Sequence, residues 1–375
     1  MARSVRGIEH LVAAEIRQAR LGAVVEVRHR EVWFEAREPG LLGLRLADDV
    51  LLVGAVVDGI GPGRSALRRL AAAASAVDEA RLTTLAARLG PPSAEGPVAA
   101  DLGPPSAEGL AAARLGPPSA IRHAEPAGNP ATRAEPGLRR TTHGGVDVSA
   151  SFLGRRGYTR FDVEDAVGPR LGRPYHSRRD GRKPPAGTTS WRVTIEGERA
   201  VIALRAGARP LHRRPYKVRS VPGTLHPPLA AAMAHLAEPE GLVVDPCCGA
   251  GTTLIEAAAH TPGVRTLGFD HASPAVAAAV ENGPGLAWSV ADAGRIPLPA
   301  GSVDRVLVNP PWERQVRLAG EGRRLWRELR RVLAGDGRVV ALVPEVPRGW
   351  AVHERLEISL FGRHPVLVMM SPDKS

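Results

Sequence analysis

Apolar residues recur at helical spacing from Glu9 to Arg20, and Val24 to Val27 and Glu31 to Phe34 then alternate with period two. Residues 1–60 therefore predict a small α+β unit. A second helical pattern runs from Ser65 to Ala87, carried by Leu67, Leu70, Val77, Leu82 and Leu85, with alanines blurring its face. The texture then changes: LGPPSAEG at Leu89 to Gly96 returns at Leu102 to Gly109, and LGPPSA follows at Leu115, a period of 13 residues. Paired prolines and few branched side chains leave too little apolar area to offset the entropy of ordering, so about 86–140 predicts a flexible insertion.

Pattern resumes with a strand from Val146 to Phe152, a helix from Asp162 to Leu171 opening after Phe161, and two strands, Trp191 to Glu196 and Ala200 to Leu204, joined at Gly197. His226-Pro227-Pro228 starts a helix reaching about Leu236, with proline tolerated in its first turn. Beyond Gly241 strands and helices alternate: strand 241–245, helix 252–260, strand 264–269, helix 273–281, strands 286–290 and 304–308, helix 320–334 and strand 338–343. This alternation predicts an α/β fold with right-handed crossovers and a mostly parallel, doubly wound sheet. Strands at about 355–361 and 364–370 flank Gly362-Arg363-His364 and predict a terminal antiparallel hairpin.

Composition narrows the functional classes. With 375 residues the chain has room for two or three domains, and no run of about 18 apolar residues suggests a membrane span. Its opening, MARSVRGIEH, lacks a secretory pattern, which makes the cytoplasm the expected location. The two cysteines, Cys247 and Cys248, are adjacent, and the 12 histidines are scattered, so neither a disulfide nor a metal site is expected. A net charge of +11 suits a polyanion partner. Only three of the 50 basic residues are lysine, however, and the accompanying Ala, Gly and Pro excess is what GC-rich coding also produces. Clustering decides the matter: Arg205, Arg209, Arg213, Arg214, Lys217 and Arg219 occur with no acidic residue among them, and residues 170–183 add six more basic side chains against Asp180 alone. Both clusters predict RNA contact.

The segment LVVDPCCGAGTTLIEAA places a buried strand, an acidic strand end, a glycine turn and a helix start in order, at the turn where doubly wound sheets bind nucleotide-like ligands. Gly249 and Gly251 would let backbone approach a ligand, and Thr252 or Thr253 would cap the helix. A third glycine of the pyrophosphate type is missing, and Asp245 suits a cationic group better than a phosphate. Asp270 ends the second strand at the spacing that reaches ribose hydroxyls, and Asp292, beyond the third strand, suits an adenine amino group. Asn309-Pro310-Pro311-Trp312 ends the fourth strand, where two prolines force the chain out of the sheet. There the Asn309 side-chain carbonyl and the Pro310 backbone carbonyl would accept both hydrogens of an exocyclic amine, and Trp312 would stack on an extruded base. Cys247 and Cys248 read as small packing residues rather than nucleophiles, and His226 and His271 as capping or surface residues near the site.

DPCCGAGTTLIEAA together with NPPW resembles the amino-methyltransferase branch of the Rossmann-like, class I methyltransferases. The front half resembles the ferredoxin-like and THUMP units of tRNA guanine-N2 methyltransferases, through VRGIEHLVAAEI, RRGYTRFDVEDAVGPRLG, WRVTIEGERAVIALRAG and RRPYKVRSVPGTLHPPLAAAM. That resemblance implies a ferredoxin-like unit at 1–60, a THUMP-like unit at 61–210 interrupted by the insertion, a basic linker at 211–225 and a methyltransferase domain at 226–375. It implies S-adenosylmethionine (SAM) held by Asp245, Pro246, Cys247, Gly249, Ala250, Gly251, Thr252, Thr253, Asp270, Asp292 and Ala293. Asn309, Pro310, Pro311 and Trp312 would hold a guanine of tRNA for methylation at N2. Two alternatives stand beside it: an amino-methyltransferase acting on rRNA guanine or on adenine N6 or cytosine N4 of DNA, and a non-catalytic RNA-binding protein. Intact Asp245, Gly249, Gly251 and Asn309 speak against the last.

Overall fold

A computed structural model describes residues 1–37, 40–89, 144–312, 319–360 and 362–373. Most of the expected insertion, residues 90–143, lies outside the described residues. Its expected start at 86 does not hold, because the preceding helix continues to Leu89.

The front half is built on one sheet of eight strands in the order β2-β3-β1-β4-β8-β7-β5-β6. These are β1 (Ala2–Arg3), β2 (Gly22–Arg28), β3 (Glu31–Ala36), β4 (Asp49–Val57), β5 (Val146–Phe152), β6 (Tyr175–His176), β7 (Thr189–Glu196) and β8 (Arg199–Arg205). The two units expected to divide at residue 60 share one sheet, since β4, which ends just before it, pairs antiparallel with β8 from Leu51↔Arg205 to Val57↔Ala200. Helices α1 (Glu9–Gln18), α2 (Ser65–Ser75), α3 (Glu79–Leu89) and α4 (Arg160–Val167) cover it. The single helix expected over 65–87 is two. It breaks after Ala76, and the Asp78 carboxylate accepts the Arg81 N–H at 2.9 Å to start the second. Helix α4 begins two residues earlier than expected, because Thr159 and Asp162 form a reciprocal capping box.

The rear half carries seven strands in the order β11-β10-β9-β12-β13-β15-β14. They are β9 (Leu242–Asp245), β10 (Arg265–Asp270), β11 (Ala287–Val290), β12 (Val303–Val308), β13 (Leu333–Val343), β14 (Trp350–Glu357) and β15 (Val366–Pro372). β9 to β13 run parallel, whereas β15 lies antiparallel to both β13 and β14. The terminal hairpin is therefore present with β14 displaced towards the N-terminus, anchored by buried Trp350. Helices α5 (Pro227–Ala237), α6 (Thr252–His260), α7 (Ser273–Asn282) and α8 (Ala319–Val332) complete the doubly wound layers. No helix among the described residues is long and apolar enough to cross a membrane.

One hydrophobic cluster joins the halves, running from Ile8, Val12 and Ile16 through Leu41 and Leu44 to Leu229, Met233 and Leu254. A buried polar joint reinforces it. Glu256 of α6, fully buried, accepts from Arg45 (2.6 Å), Arg214 (3.0 Å) and the Tyr216 hydroxyl (2.8 Å). Burial and the Glu256 carboxylate push the Tyr216 hydroxyl pKa well up, so it remains a donor. Truncation by Glu256→Ala strands Arg214 without its carboxylate, and a loss of about 3–5 kcal/mol in a denaturant titration is expected.

Candidate active site

β9 is an interior strand of the rear sheet, paired with β10 on one side and β12 on the other, so its C-terminal end opens onto the cleft between two parallel crossovers. Asp245 ends this strand at 1% exposure. Its carboxylate accepts the Cys247 N–H at 2.9 Å and the Thr253 hydroxyl, which closes the loop onto the strand. Burial raises the Asp245 pKa to about 7, with the charge of Asp270 adding to the effect and the two hydrogen bonds opposing it. Pro246, Ala250, Thr252 and Thr253 are buried along the turn.

Neither threonine caps α6, contrary to expectation. The N-cap is Gly251, with φ 82° and no side-chain cap, because the Thr253 hydroxyl is directed back to Asp245. Thr252 Oγ1 is buried and has no hydrogen-bond partner among the described residues. The two glycines have different surroundings. Around Gly249 (φ 53°) the space is open, whereas a Cβ on Gly251 would lie 2.7 Å from the Trp288 ring. Trp288, projecting from β11 and donating its indole N–H to the Gly283 carbonyl at 2.8 Å, is a residue that the sequence pattern does not single out. Its one signal is an aromatic side chain on an edge strand that is otherwise largely exposed. Gly251→Ala meets both a left-handed backbone and this ring, and a destabilisation of about 1–3 kcal/mol, read as a lower midpoint of thermal unfolding, is expected.

Asp270, ending β10, accepts the Gly249 N–H (3.0 Å) and the Ala272 N–H (2.9 Å), so its carboxylate also holds the glycine loop in place. Asp292, past β11, accepts the Gly294 N–H at 2.8 Å, while Ala293 packs against the cluster containing Val244 and Phe269. The negative charges of Asp245, Asp270 and Asp292 all act on Cys247, whose thiol is raised well above its usual range, first by burial and then by these three. Burial likewise pushes the Cys248 thiol up. Neither sulfur is poised as a thiolate nucleophile. Three carboxylates thus converge at one sheet edge, an arrangement that favours a cation. His271, 68% exposed, sits 3.4 Å from Asp270 on the outside.

Asn309 follows the last residue of β12, and its Oδ1 is buried with no hydrogen-bond partner among the described residues. An unpaired buried acceptor costs about 1–3 kcal/mol, which marks it as a group kept for something other than stability. Pro310 is buried and Pro311 exposed. Trp312, expected to offer a stacking face, is partly buried. Its indole donates to the Leu342 carbonyl at 3.1 Å, it packs against the core, and the Arg363 guanidinium lies 5.9 Å from its ring centroid.

Several basic residues expected to meet RNA are used internally instead. Arg205 is buried against Asp49 (2.8 Å) and Ser190, and Arg214 belongs to the Glu256 joint. Lys217 donates to the Leu225 carbonyl at 3.3 Å, and burial lowers its pKa. Arg219 sits 3.5 Å from Glu281 but is 62% exposed, while Arg209 and Arg213 are exposed with no hydrogen bond or ion pair from their side chains to another described residue. In the second cluster Arg173, Arg178, Arg179 and Arg182 pair with Glu79, Asp147, Asp165 and Asp180.

Residues 214–348, which hold this cleft, match the RMKL-like methyltransferase domain. The tRNA (guanine(6)-N2)-methyltransferase of Thermus thermophilus is 32% identical over 241 residues, covering 59% of this chain and 71% of that protein. The chain belongs to the SAM-dependent RNA guanine-N2 methyltransferase family. The bovine U6 snRNA (guanine-N(2))-methyltransferase THUMPD2 is 34% identical over 146 residues, which are 36% of this chain and 29% of that protein. In fold, the methyltransferase is similar to TrmN from Thermus thermophilus over 99% of this chain and 98% of that one, with a TM-score of 0.68 and 24% identity. It is also similar to SMU.472, a putative methyltransferase complexed with SAH, at a TM-score of 0.64 and 13% identity over 100% of this chain and 98% of the other.

Proposed function

We propose that this enzyme transfers a methyl group from SAM to the exocyclic N2 amine of a guanosine in tRNA. The observation that carries the reading is Asn309 Oδ1, buried and without a partner among the described residues at the end of β12, beside the carboxylate-lined mouth of β9 and β10. The relatives named for guanine-N2 methylation of tRNA and of U6 snRNA support RNA as the substrate class.

The residues present fit the cofactor. Asp245, Asp270 and Asp292 give the cleft a negative potential suited to a ligand with cationic ammonium and sulfonium groups, and the unpartnered Thr252 hydroxyl offers a further donor. Pro246, Cys247, Gly249, Ala250, Gly251, Thr253 and Ala293 would shape the walls around it. When bound, SAM supplies an electrophilic methyl group on positively charged sulfur. Asn309 Oδ1 and the Pro310 carbonyl would then accept the two hydrogens of the incoming amine. An aromatic amine is a weak nucleophile because its lone pair is delocalised into the ring. Two acceptors that hold the hydrogens favour a pyramidal nitrogen and fix its direction, so orientation and electrostatics together lower the barrier. Pro311 would keep the loop turned out of the sheet, and Trp312, held by Leu342, would form a rigid wall to the base pocket. No covalent enzyme intermediate enters the scheme, in keeping with thiols held in their neutral form.

The ferredoxin-like (1–60) and THUMP-like (61–210) units would grip the RNA, with Arg209, Arg213, Lys217 and Arg219 facing it from the connector. Incubation with methyl-labelled SAM and total tRNA, followed by digestion to nucleosides, is expected to place the label in N2-methylguanosine. Label in N6-methyladenosine, or transfer to DNA alone, overturns the assignment.

A further inference from the structure

The connector after β8 and the start of α5 enclose a cavity of about 510 Å³, separate from the carboxylate-lined cleft. Its wall includes Arg209, His212, Arg213, Lys217 and His226, so nearly every charged side chain on it is basic. Arg214 also lines the cavity, but its guanidinium is taken by Glu256 and by the Leu211 and Arg45 carbonyls. Arg209 and Arg213 have no side-chain partner among the described residues, and Lys217 has only a backbone carbonyl. Uncompensated cations around a concave space are the mark of an anion site.

The two histidines are held in an arrangement that responds to such an anion. Their ring centroids are 5.1 Å apart, and both lean on Asp48, which immediately precedes β4. His226 Nε2 lies 2.7 Å from Asp48 Oδ1, and His212 Nδ1 lies 3.2 Å from the Asp48 carbonyl oxygen. Because that carbonyl can only accept, His212 uses Nδ1 as a donor, which leaves Nε2 available for a second proton. The other charges near the pair are Arg30, 3.9 Å from Asp48, and Asp49, which is committed to Arg205.

We infer that this cavity seats a phosphate group of the RNA, gripped by Arg209, Arg213 and Lys217, with the His212 ring beside them. The inference rests on the RNA reading above and names a contact at the joint between the RNA-gripping and catalytic halves. Burial, together with the neighbouring His226, lowers the His212 pKa below its usual 6.5 when no anion is near. A phosphate would raise it, so affinity grows as the pH falls towards 6. Atoms of Asp48, His212 and His226 also lie within 4.8 Å of one another, a spacing a divalent ion can bridge. The surrounding guanidinium and ammonium groups oppose that charge, and the anion is the reading they favour.

The test uses the full-length protein and has two parts. In the first, inorganic phosphate is titrated against the histidine ring proton resonances. Wild-type His212 and His226 signals are expected to shift with saturation, and Arg213→Ala to abolish the shift. This part reads the cavity even if tRNA proves not to be the substrate. In the second, RNA affinity is measured against salt and pH. Arg213→Ala is expected to lower the slope of log affinity against log salt by about 1, and His212→Ala to flatten the pH dependence between 6 and 8, with SAM affinity unchanged in both. RNAs bearing a 5′-phosphate or a 5′-hydroxyl separate the two sources. A defect seen only with the 5′-phosphate assigns a terminal phosphate, and one seen equally with both assigns an internal phosphodiester. Unshifted histidine signals, unchanged slopes and pH profiles, or a stoichiometric zinc ion lost in His212→Ala would each overturn the inference.

Discussion

Replacing Asn309 by alanine is expected to lower the single-turnover rate of methyl transfer by roughly 10²- to 10³-fold while leaving SAM affinity within about twofold. The expected split follows from position. Asn309 contributes no carboxylate to the cofactor cleft, and its Oδ1 has no partner among the described residues whose loss would disturb the fold. Removing an unpartnered buried acceptor also relieves a desolvation cost, so the variant should unfold at the same temperature as the parent or slightly above it. Asparagine at this position offers a carbonyl without a charge. Asn309→Asp keeps an acceptor but buries a negative charge near Asp245 and Asp270, and its activity should fall as the pH rises and that carboxylate ionises. Rapid-quench turnover and SAM titration calorimetry on the same preparations separate the two effects. Equal losses of rate and cofactor affinity in Asn309→Ala would show that the residue shapes the cofactor site rather than holding the amine.

Asp245→Asn is expected to abolish measurable SAM binding and, without ligand, to remove a pH-dependent weakness of the fold. The folded-state pKa of Asp245 stands at about 7, against an ordinary carboxyl value near 3.8. Because the value is raised, the folded protein holds its proton more tightly than the unfolded chain. The associated stability is fully present below about pH 4, declines as the pH rises, and is lost beyond about pH 7. The difference between the two values corresponds to about 4 kcal/mol. Thermal unfolding of the ligand-free wild type should therefore weaken between pH 5 and 7 and level off above, whereas Asp245→Asn should show a flatter profile and a higher midpoint at pH 8. A bound cation offsets the same cost, so SAM should raise the wild-type midpoint most at high pH and leave the variant unmoved. Parallel pH profiles for the two proteins would contradict this account of Asp245.

The turn after β9 and the loop after β12 were legible in the sequence because their signals are local. The Pro310-Pro311 pair ends β12 by removing backbone donors, and Gly249 and Gly251 mark positive φ angles within a few residues of Asp245. Thr253 was placed at the site but with the wrong partner, since a cap and a bond to Asp245 look alike in one dimension. The basic cluster failed in part for a different reason. Arg205 finds Asp49 at a separation of 156 residues and Arg214 finds Glu256 at 42, and nothing in a run of arginines reveals carboxylates so distant. Trp288 escaped notice because its ring fills space beside three glycines, Gly251, Gly268 and Gly283, that belong to other strands and turns. In the fold, the alternation beyond Gly241 matches the observed strand and helix order, since the central strands β9, β12 and β13 bury near-continuous apolar runs. The break at Ala76 was hidden because alanine suits both a helix interior and its end. Continuity of the front sheet across residue 60 arises from pairing between β4 and β8, a contact that no local pattern encodes.

The most direct measurement replaces the modified guanosine, once mapped in the substrate RNA, by inosine, which differs only in lacking the N2 amine. The account predicts that RNA affinity changes by no more than a few-fold while methyl transfer to that RNA disappears. Undiminished transfer to the inosine-containing RNA would show that the methyl group goes to some other atom and that the Asn309 carbonyl does not present the reacting nitrogen.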